Sequence, residues 1–219
     1  MLNEVEKRIL SSLILIPIAI FFIMQGSIFF IFFLTILYLV TSYEWFKMSK
    51  NFFLLQFAGI IFLSFSFYST YTIREEGFEF FLFIVIICIF TDIGGYIFGK
   101  ILKGPKLTKI SPKKTYAGVL GGYFCSIIFI IFFLNYTDFI FEIINIEKLK
   151  MEFSVNLFVF TIIISTVSQL GDILISYFKR KAKIKNTGKI IPGHGGLLDR
   201  IDGMIFSFPA SYLILKFPY

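Results

Sequence analysis

Histidine appears once in the 219 residues, cysteine twice and tryptophan once, and charged side chains make up only 16% of the chain. The two cysteines, Cys88 and Cys125, both sit inside apolar runs, where a thiol packs like any small hydrophobe. Their placement excludes a disulfide framework and a cysteine-based zinc site. What fills the space is hydrocarbon: 57% of residues are hydrophobic, 32 are Phe, and the mean hydropathy is +0.85. Soluble domains are roughly 45–50% apolar. Several apolar runs approach ~20 residues, the length of helix that crosses a ~30 Å hydrocarbon layer. The composition therefore describes an all-α, polytopic membrane protein. Its net charge of +7 is not arranged for nucleic acid, because no soluble basic face with aromatic partners is present. Anionic lipid headgroups or a phosphorylated substrate suit it better.

Apolar runs bounded by charge predict about seven spans, at residues 9–25, 27–46, 52–72, 78–98, 117–135, 154–178 and 203–217. The first follows Lys7-Arg8 but ends Ile23-Met24-Gln25-Gly26-Ser27, which lacks a small-x-small cleavage pattern, so it reads as a retained helix. Gly26-Ser27 then forms a tight turn between two helices. The last run is short and contains Pro209, which leaves a short span, a kinked one or a re-entrant segment open.

A cytoplasmic N-terminus places 17 of the 21 basic residues in inside segments, leaving Arg74, Lys148, Lys150 and Lys216 outside. That split follows the positive-inside tendency, and it puts the C-terminus outside if the seventh segment spans. Two long polar loops, 99–116 and 179–202, then face the cytosol, and chemistry is expected there. The outer connection around 136–153, with Asp138, reads as an ordinary solvated loop.

Four of the five aspartates, Asp92, Asp172, Asp199 and Asp202, border those two loops. Asp92 stands eight residues before Lys100 and Asp172 seven before Lys179, so at ~1.5 Å per residue both lie about 10–12 Å below their basic ends. A carboxylate at that depth is costly unless it faces a cavity, a cation or a partner. Bonding to neighbouring helices through Thr91, Ser168 or Gln169 is the plain structural alternative. Asp199 and Asp202 are three apart and would share a helical face, closing an oxygen-rich cage with Asp172. Oxygen ligands without sulfur point to Mg²⁺, one ion or two, and magnesium beside lysines is the usual equipment of phosphate transfer.

The loops supply the cations. Ser111-Pro112-Lys113-Lys114-Thr115 places two ammonium groups and two hydroxyls at the membrane surface, either to grip phosphate or simply as a positive flank. The second loop joins Ser176, Lys179 and Arg180 to Gly193-His194-Gly195-Gly196 and then to Asp199-Arg200-Ile201-Asp202. Glycines let backbone N–H groups approach an anion closely. His194 is open to three roles, general base, phosphate donor or turn structure; contact with phosphate or the turn is favoured, because an attacking phosphate oxygen is already ionised near neutral pH.

The stretch SYFKRKAKIKNTGKIIPGHGGLLDRID, Ser176 to Asp202, closely resembles the signature of phosphatidate cytidylyltransferases, also called CDP-diacylglycerol synthases. Ser168-Gln169-Leu170-Gly171-Asp172 and the segment from Asp92 to Gly122 look like the same family. Asn186 stands where that signature has aspartate, and Ala117 where many members have glutamate. The resemblance implies N-terminal hydrophobic helices over 1–75 and a catalytic membrane domain over 76–219. It implies conversion of CTP and phosphatidic acid to CDP-diacylglycerol and pyrophosphate, at the cytosolic face of a bacterial inner membrane. Asp172, Asp199 and Asp202 would be metal ligands, with Asp92 a fourth acid. Lys179, Arg180, Arg200, Lys113 and Lys114 would pair with phosphate, and Ser111, Ser176, His194, Gly195 and Gly196 would complete the cradle. Partners would be CTP, phosphatidic acid, membrane lipids and, as an assembly, a homodimer.

Enzymes that move phosphoalcohols onto CDP-lipids carry a longer Asp-Gly-x-x-Ala-Arg pattern, absent here. A CTP-dependent transferase acting on another lipid phosphate shares the headgroup chemistry and stays open. A transporter would place Asp92 and Asp172 at equal depth too, but no repeated half is visible.

Overall fold

The computed structural model describes residues 3–108, 110–144 and 154–216. Among them the regular structure is helical, with two isolated bridges, Lys106 with Thr115 and Ile191 with Gly195. The helices are α1 (Glu4–Gln25), α2 (Ser27–Met48), α3 (Phe53–Glu76), α4 (Phe78–Ile101), α5 (Tyr116–Ile144), α6 (Val155–Lys181), α7 (Leu198–Ile201) and α8 (Met204–Lys216). Six of them are long and apolar enough to cross a membrane, and the molecule is an integral membrane protein.

The helix ends have local causes. Asn3 and Glu6 form a capping box at α1, the Asn3 side chain accepting from Glu6 N at 2.9 Å and Glu6 accepting from Asn3 N at 2.8 Å. Gly26, at φ +62°, takes a backbone conformation that side chains resist and reverses the chain into α2, as the Gly-Ser pair predicts. The third expected span extends to Glu76, and Gly77 separates it from α4. The outer connection differs from expectation. Helix α5 continues to Ile144, so Asp138 belongs to a helix, while the rest of that connection, with Lys148 and Lys150, lies outside the described residues, as does Lys109.

Successive spans alternate in direction, and two ends are recognisable. At one end Arg8 of α1 meets the loop after α6, donating from Nε to Gly193 O at 2.7 Å, and Lys181 lies 4.3 Å from the Phe52 ring. At the other end Arg74 donates to Ile23 O at 3.2 Å, and Lys216 pairs with Glu76 at 2.6 Å.

Helix α4 is the centre of the bundle. Its Phe83, Ile84 and Ile87 are fully buried and cluster with Ile130 of α5 and Ile164 of α6. Against α5 the approach is closest, because glycine faces glycine. A Cβ at Gly94 would strike the Gly121 carbonyl, and one at Gly118 the Gly95 carbonyl. Helix α8 is similarly close to α6: a Cβ on Gly171 would meet the Phe206 ring and the Asp202 carbonyl. The seventh apolar segment is one continuous helix of 13 residues through Pro209. At ~1.5 Å per residue it covers about 20 Å, short of a ~30 Å hydrocarbon layer.

Candidate active site

The glycine contacts between α4 and α5 and between α6 and α8 bring acids from separate helices to one place. Asp92 on α4 and Asp172 on α6 line a single cavity of about 300 Å³, together with Ser111, Lys113, Lys114 and Gln169. Lys114 reaches in from the α4–α5 loop, its Nζ 2.6 Å from Asp172 Oδ2 and 3.3 Å from Gln169 O. Ser176, one turn along α6, donates to Asp172 Oδ1 at 3.3 Å. Thr91 next to Asp92 donates to Ser165 at 2.8 Å and ties α4 to α6 beneath the cavity.

Asp202 joins this group from the turn between α7 and α8. It is buried, and its Oδ1 accepts from Gly203 N at 3.0 Å. Burial and the neighbouring Asp172 carboxylate hold the Asp202 carboxyl well above the usual carboxylate range, against the pull of Lys179, and Asp92 adds to the rise. The charges acting on Asp92 are Asp172, Lys114 and Arg200. The acids brought together are thus Asp92, Asp172 and Asp202, with Lys114, Lys179 and Arg200 as the nearby cations.

Asp199 does not complete the expected cage. Its Oδ1 accepts from Lys179 Nζ at 2.8 Å, while Oδ2 accepts from Thr187 N at 2.9 Å and Gly196 N at 3.2 Å. Both of its oxygens are thus taken by Lys179 and by backbone N–H groups of the loop, even though Asp202, three residues on, continues α7 in helical backbone geometry. Among the described residues no three His, Cys, Asp or Glu side chains converge as a metal cage. Asp92, Asp172 and Asp202 nonetheless offer hard oxygen only, a donor set that suits Mg²⁺.

The glycine turn also differs from expectation. His194 N and Gly195 N both donate to Ile191 O, at 3.0 and 3.2 Å, and Gly196 N is taken by Asp199, so these N–H groups shape the loop instead of forming an open phosphate nest. Gly193 and Gly195 have φ of +76° and +94°, which explains the residue type. His194 lies away from the acids: its Nδ1 is 2.9 Å from Ser11 Oγ of α1, and its carbonyl accepts from Arg200 at 2.8 Å. Burial, and then the Arg200 and Arg8 guanidinium groups, push the imidazole below its ordinary pKa, which favours the neutral ring. Arg180 is exposed at the end of α6.

Three contributors were not foreseen: Arg8 and Ser11 of α1, and Glu44 of α2. Glu44 is buried and accepts from Leu197 N, Leu198 N and Thr187 Oγ1 at 2.9–3.0 Å. One signal was available for it, since an acid inside an apolar run demands a partner.

Fold and cavity define a polytopic membrane protein whose polar site, at one end of the bundle, combines carboxylates with lysine and arginine. Residues 50–218 match the cytidylyltransferase family, and the chain belongs to it. A phosphatidate cytidylyltransferase of Staphylococcus aureus (strain COL) is 37% identical over 184 residues, which is 84% of this chain and 66% of the relative. One of Staphylococcus saprophyticus is 38% identical over 158 residues, 72% of this chain and 56% of the relative. One of Staphylococcus haemolyticus is 36% identical over 184 residues, with 84% and 66% covered. The chain therefore matches a little less than two thirds of the length of these curated relatives.

Proposed function

We propose that the protein converts CTP and phosphatidic acid to CDP-diacylglycerol and pyrophosphate. The observation that carries this reading is the cavity itself: Asp92 and Asp172 from two helices meet Lys114, with Asp202 beside them, in a chain of the cytidylyltransferase family whose relatives bear that name. A phosphate oxygen of phosphatidic acid attacks the α-phosphorus of CTP. The new P–O bond forms as the bond from that phosphorus to the β-phosphate bridging oxygen breaks, and pyrophosphate departs. No strong base is required, because a phosphate monoester is largely dianionic near neutral pH.

Asp92 and Asp172, the two acids that line the cavity, would hold Mg²⁺, with Asp202 beside them, and the ion would supply charge neutralisation on the triphosphate and on the leaving pyrophosphate. Lys113, Lys114 and Arg200 pair with phosphate oxygens. Ser176 orients Asp172, and the Lys179–Asp199 pair keeps the loop after α6 in register with the cavity. Acyl chains stay in the bilayer while the phosphate enters the cavity. The basic residues, 17 of 21 on the cavity side of the topology, support a cytoplasmic active site in a bacterial inner membrane.

The test is the product. Purified protein with Mg²⁺, CTP and phosphatidic acid should form a cytidine-containing lipid and release pyrophosphate, and chelation should stop both. An isoprenoid phosphate offered in a parallel assay should react far more slowly. A folded preparation that yields no cytidine lipid from phosphatidic acid sinks the reading.

A further inference from the structure

Glu44 is an acid in the wrong place for a lipid-facing helix. It lies four residues from the end of α2, next to buried Trp45, and is itself 1% exposed. Its partners lie in the loop after α6 and at the start of α7, more than 140 residues away. Oε1 accepts from Leu197 N at 3.0 Å, and Oε2 from Leu198 N and Thr187 Oγ1, both at 2.9 Å. Two glycines leave room for it: a Cβ at Gly188 would strike Oε1, and one at Gly196 would strike Oε2 and the Thr187 hydroxyl. No cation balances it among the described ion pairs, so the three donors alone compensate its burial.

Thr187 links this carboxylate to a second one. Its hydroxyl donates to Glu44 while its N–H donates to Asp199, and Asp199 in turn holds Lys179. Leu197 and Leu198 open α7, which carries Asp199 and Arg200 and ends at Asp202. The position of that whole segment against the cavity is thus set by a side chain from α2, which lies outside the residues matched by the family.

We propose that Glu44 is a positioning residue for nucleotidyl transfer, fixing the 187–202 segment so that Asp202 stands beside the acids of the cavity. The inference rests on the proposed function for its catalytic readout. A displacement of about 1 Å at a reacting group can cost on the order of 100-fold in rate. Glu44→Gln keeps the volume but turns one acceptor oxygen into a donor facing an N–H or O–H. It should lower kcat at least about 10-fold. The KM for phosphatidic acid should stay within two-fold, and the melting temperature should fall by no more than several degrees, because α2 remains packed through its apolar side chains while one buried donor loses its acceptor. Glu44→Asp keeps two acceptor oxygens and should recover part of the lost kcat.

Amide exchange supplies a readout independent of substrate. The Leu197 and Leu198 amides should lose protection in Glu44→Gln while those of α4 do not. A kcat within two-fold of wild type, or unchanged protection at Leu197 and Leu198, overturns the proposal. If Glu44→Gln does not accumulate, Thr187→Val removes one of the three donors and carries the test: reduced kcat in a folded protein supports the proposal, and unchanged kcat overturns it. Should the wild type make no cytidine lipid at all, the proposed function fails by that result, while the exchange experiment still decides whether Glu44 holds the loop.

Discussion

Lys114 Nζ stands 2.6 Å from Asp172 Oδ2, joining the α4–α5 loop to the acid that α6 contributes to the cavity. The two side chains are 23% and 31% exposed, so the pair contributes little to stability, about 1 kcal/mol or less. Its placement in the cavity is what matters: the ammonium neutralises an acid and is available to phosphate. Lys114→Met should therefore reduce turnover by about 100-fold, in line with loss of a positioned charge at a transfer site. The melting temperature should move by no more than a few degrees. Steady-state kinetics beside a thermal unfolding curve check this, and comparable losses in both would make Lys114 a structural residue.

Asp199 should behave in the opposite way. Its carboxylate and the Lys179 ammonium are 7% and 12% exposed, and it also accepts two backbone N–H bonds. Asp199→Asn leaves a buried cation unpaired, which costs on the order of 3 kcal/mol. Activity and stability should fall together. Adding Lys179→Met to Asp199→Asn should restore much of the stability without restoring activity. Denaturant unfolding of the two variants checks this; a double variant no more stable than Asp199→Asn would remove the pair from the account.

A pH dependence attaches to His194. Burial and the nearby Arg200 and Arg8 lower its pKa in the folded protein, so the unfolded chain takes up a proton first as pH falls. The contribution of the neutral ring to stability is present above the unfolded value near 6.5 and is lost as pH falls through and below it. Wild type should lose stability relative to His194→Gln between neutral pH and pH values below about 6, where protonation adds a third cation beside the two arginines. Melting temperatures of both proteins across that range check the sign; parallel curves would show that His194 does not titrate against the arginines.

The spans were legible because hydrophobic length and flanking charge act locally: α1 to α6 and α8 fall on the expected runs. The equal depth of Asp92 and Asp172 follows from the rise of each helix, and the two line one cavity. Asp199 is held by Lys179 and by the Thr187 and Gly196 amides that fold back onto it, contacts that helical spacing does not reveal. The same holds for the glycine turn, where residue type reveals the flexible backbone but not which acceptor receives each N–H. Arg8, Ser11 and Glu44 act on residues 143 to 185 positions away, and no local pattern encodes such pairings.

The close contact of α4 with α5 separates two adjacent glycines. A methyl group on Gly94 would collide with the Gly121 carbonyl and the Cys125 side chain, whereas one on Gly95 would lie 3.6 Å from the Gly118 carbonyl, an ordinary contact. Backbone atoms cannot rotate away, so Gly94→Ala must part the helices and should cost about 1–3 kcal/mol, as overpacking does. Gly95→Ala should cost little, and its gain in helix propensity, up to about 1 kcal/mol, works in its favour. Parting α4 from α5 also moves the 111–115 loop from Asp172, so Gly94→Ala should lose activity together with stability. Unfolding and turnover measured on both variants decide the matter. Equal tolerance of the two substitutions would mean that the α4–α5 approach does not set the width of the cavity.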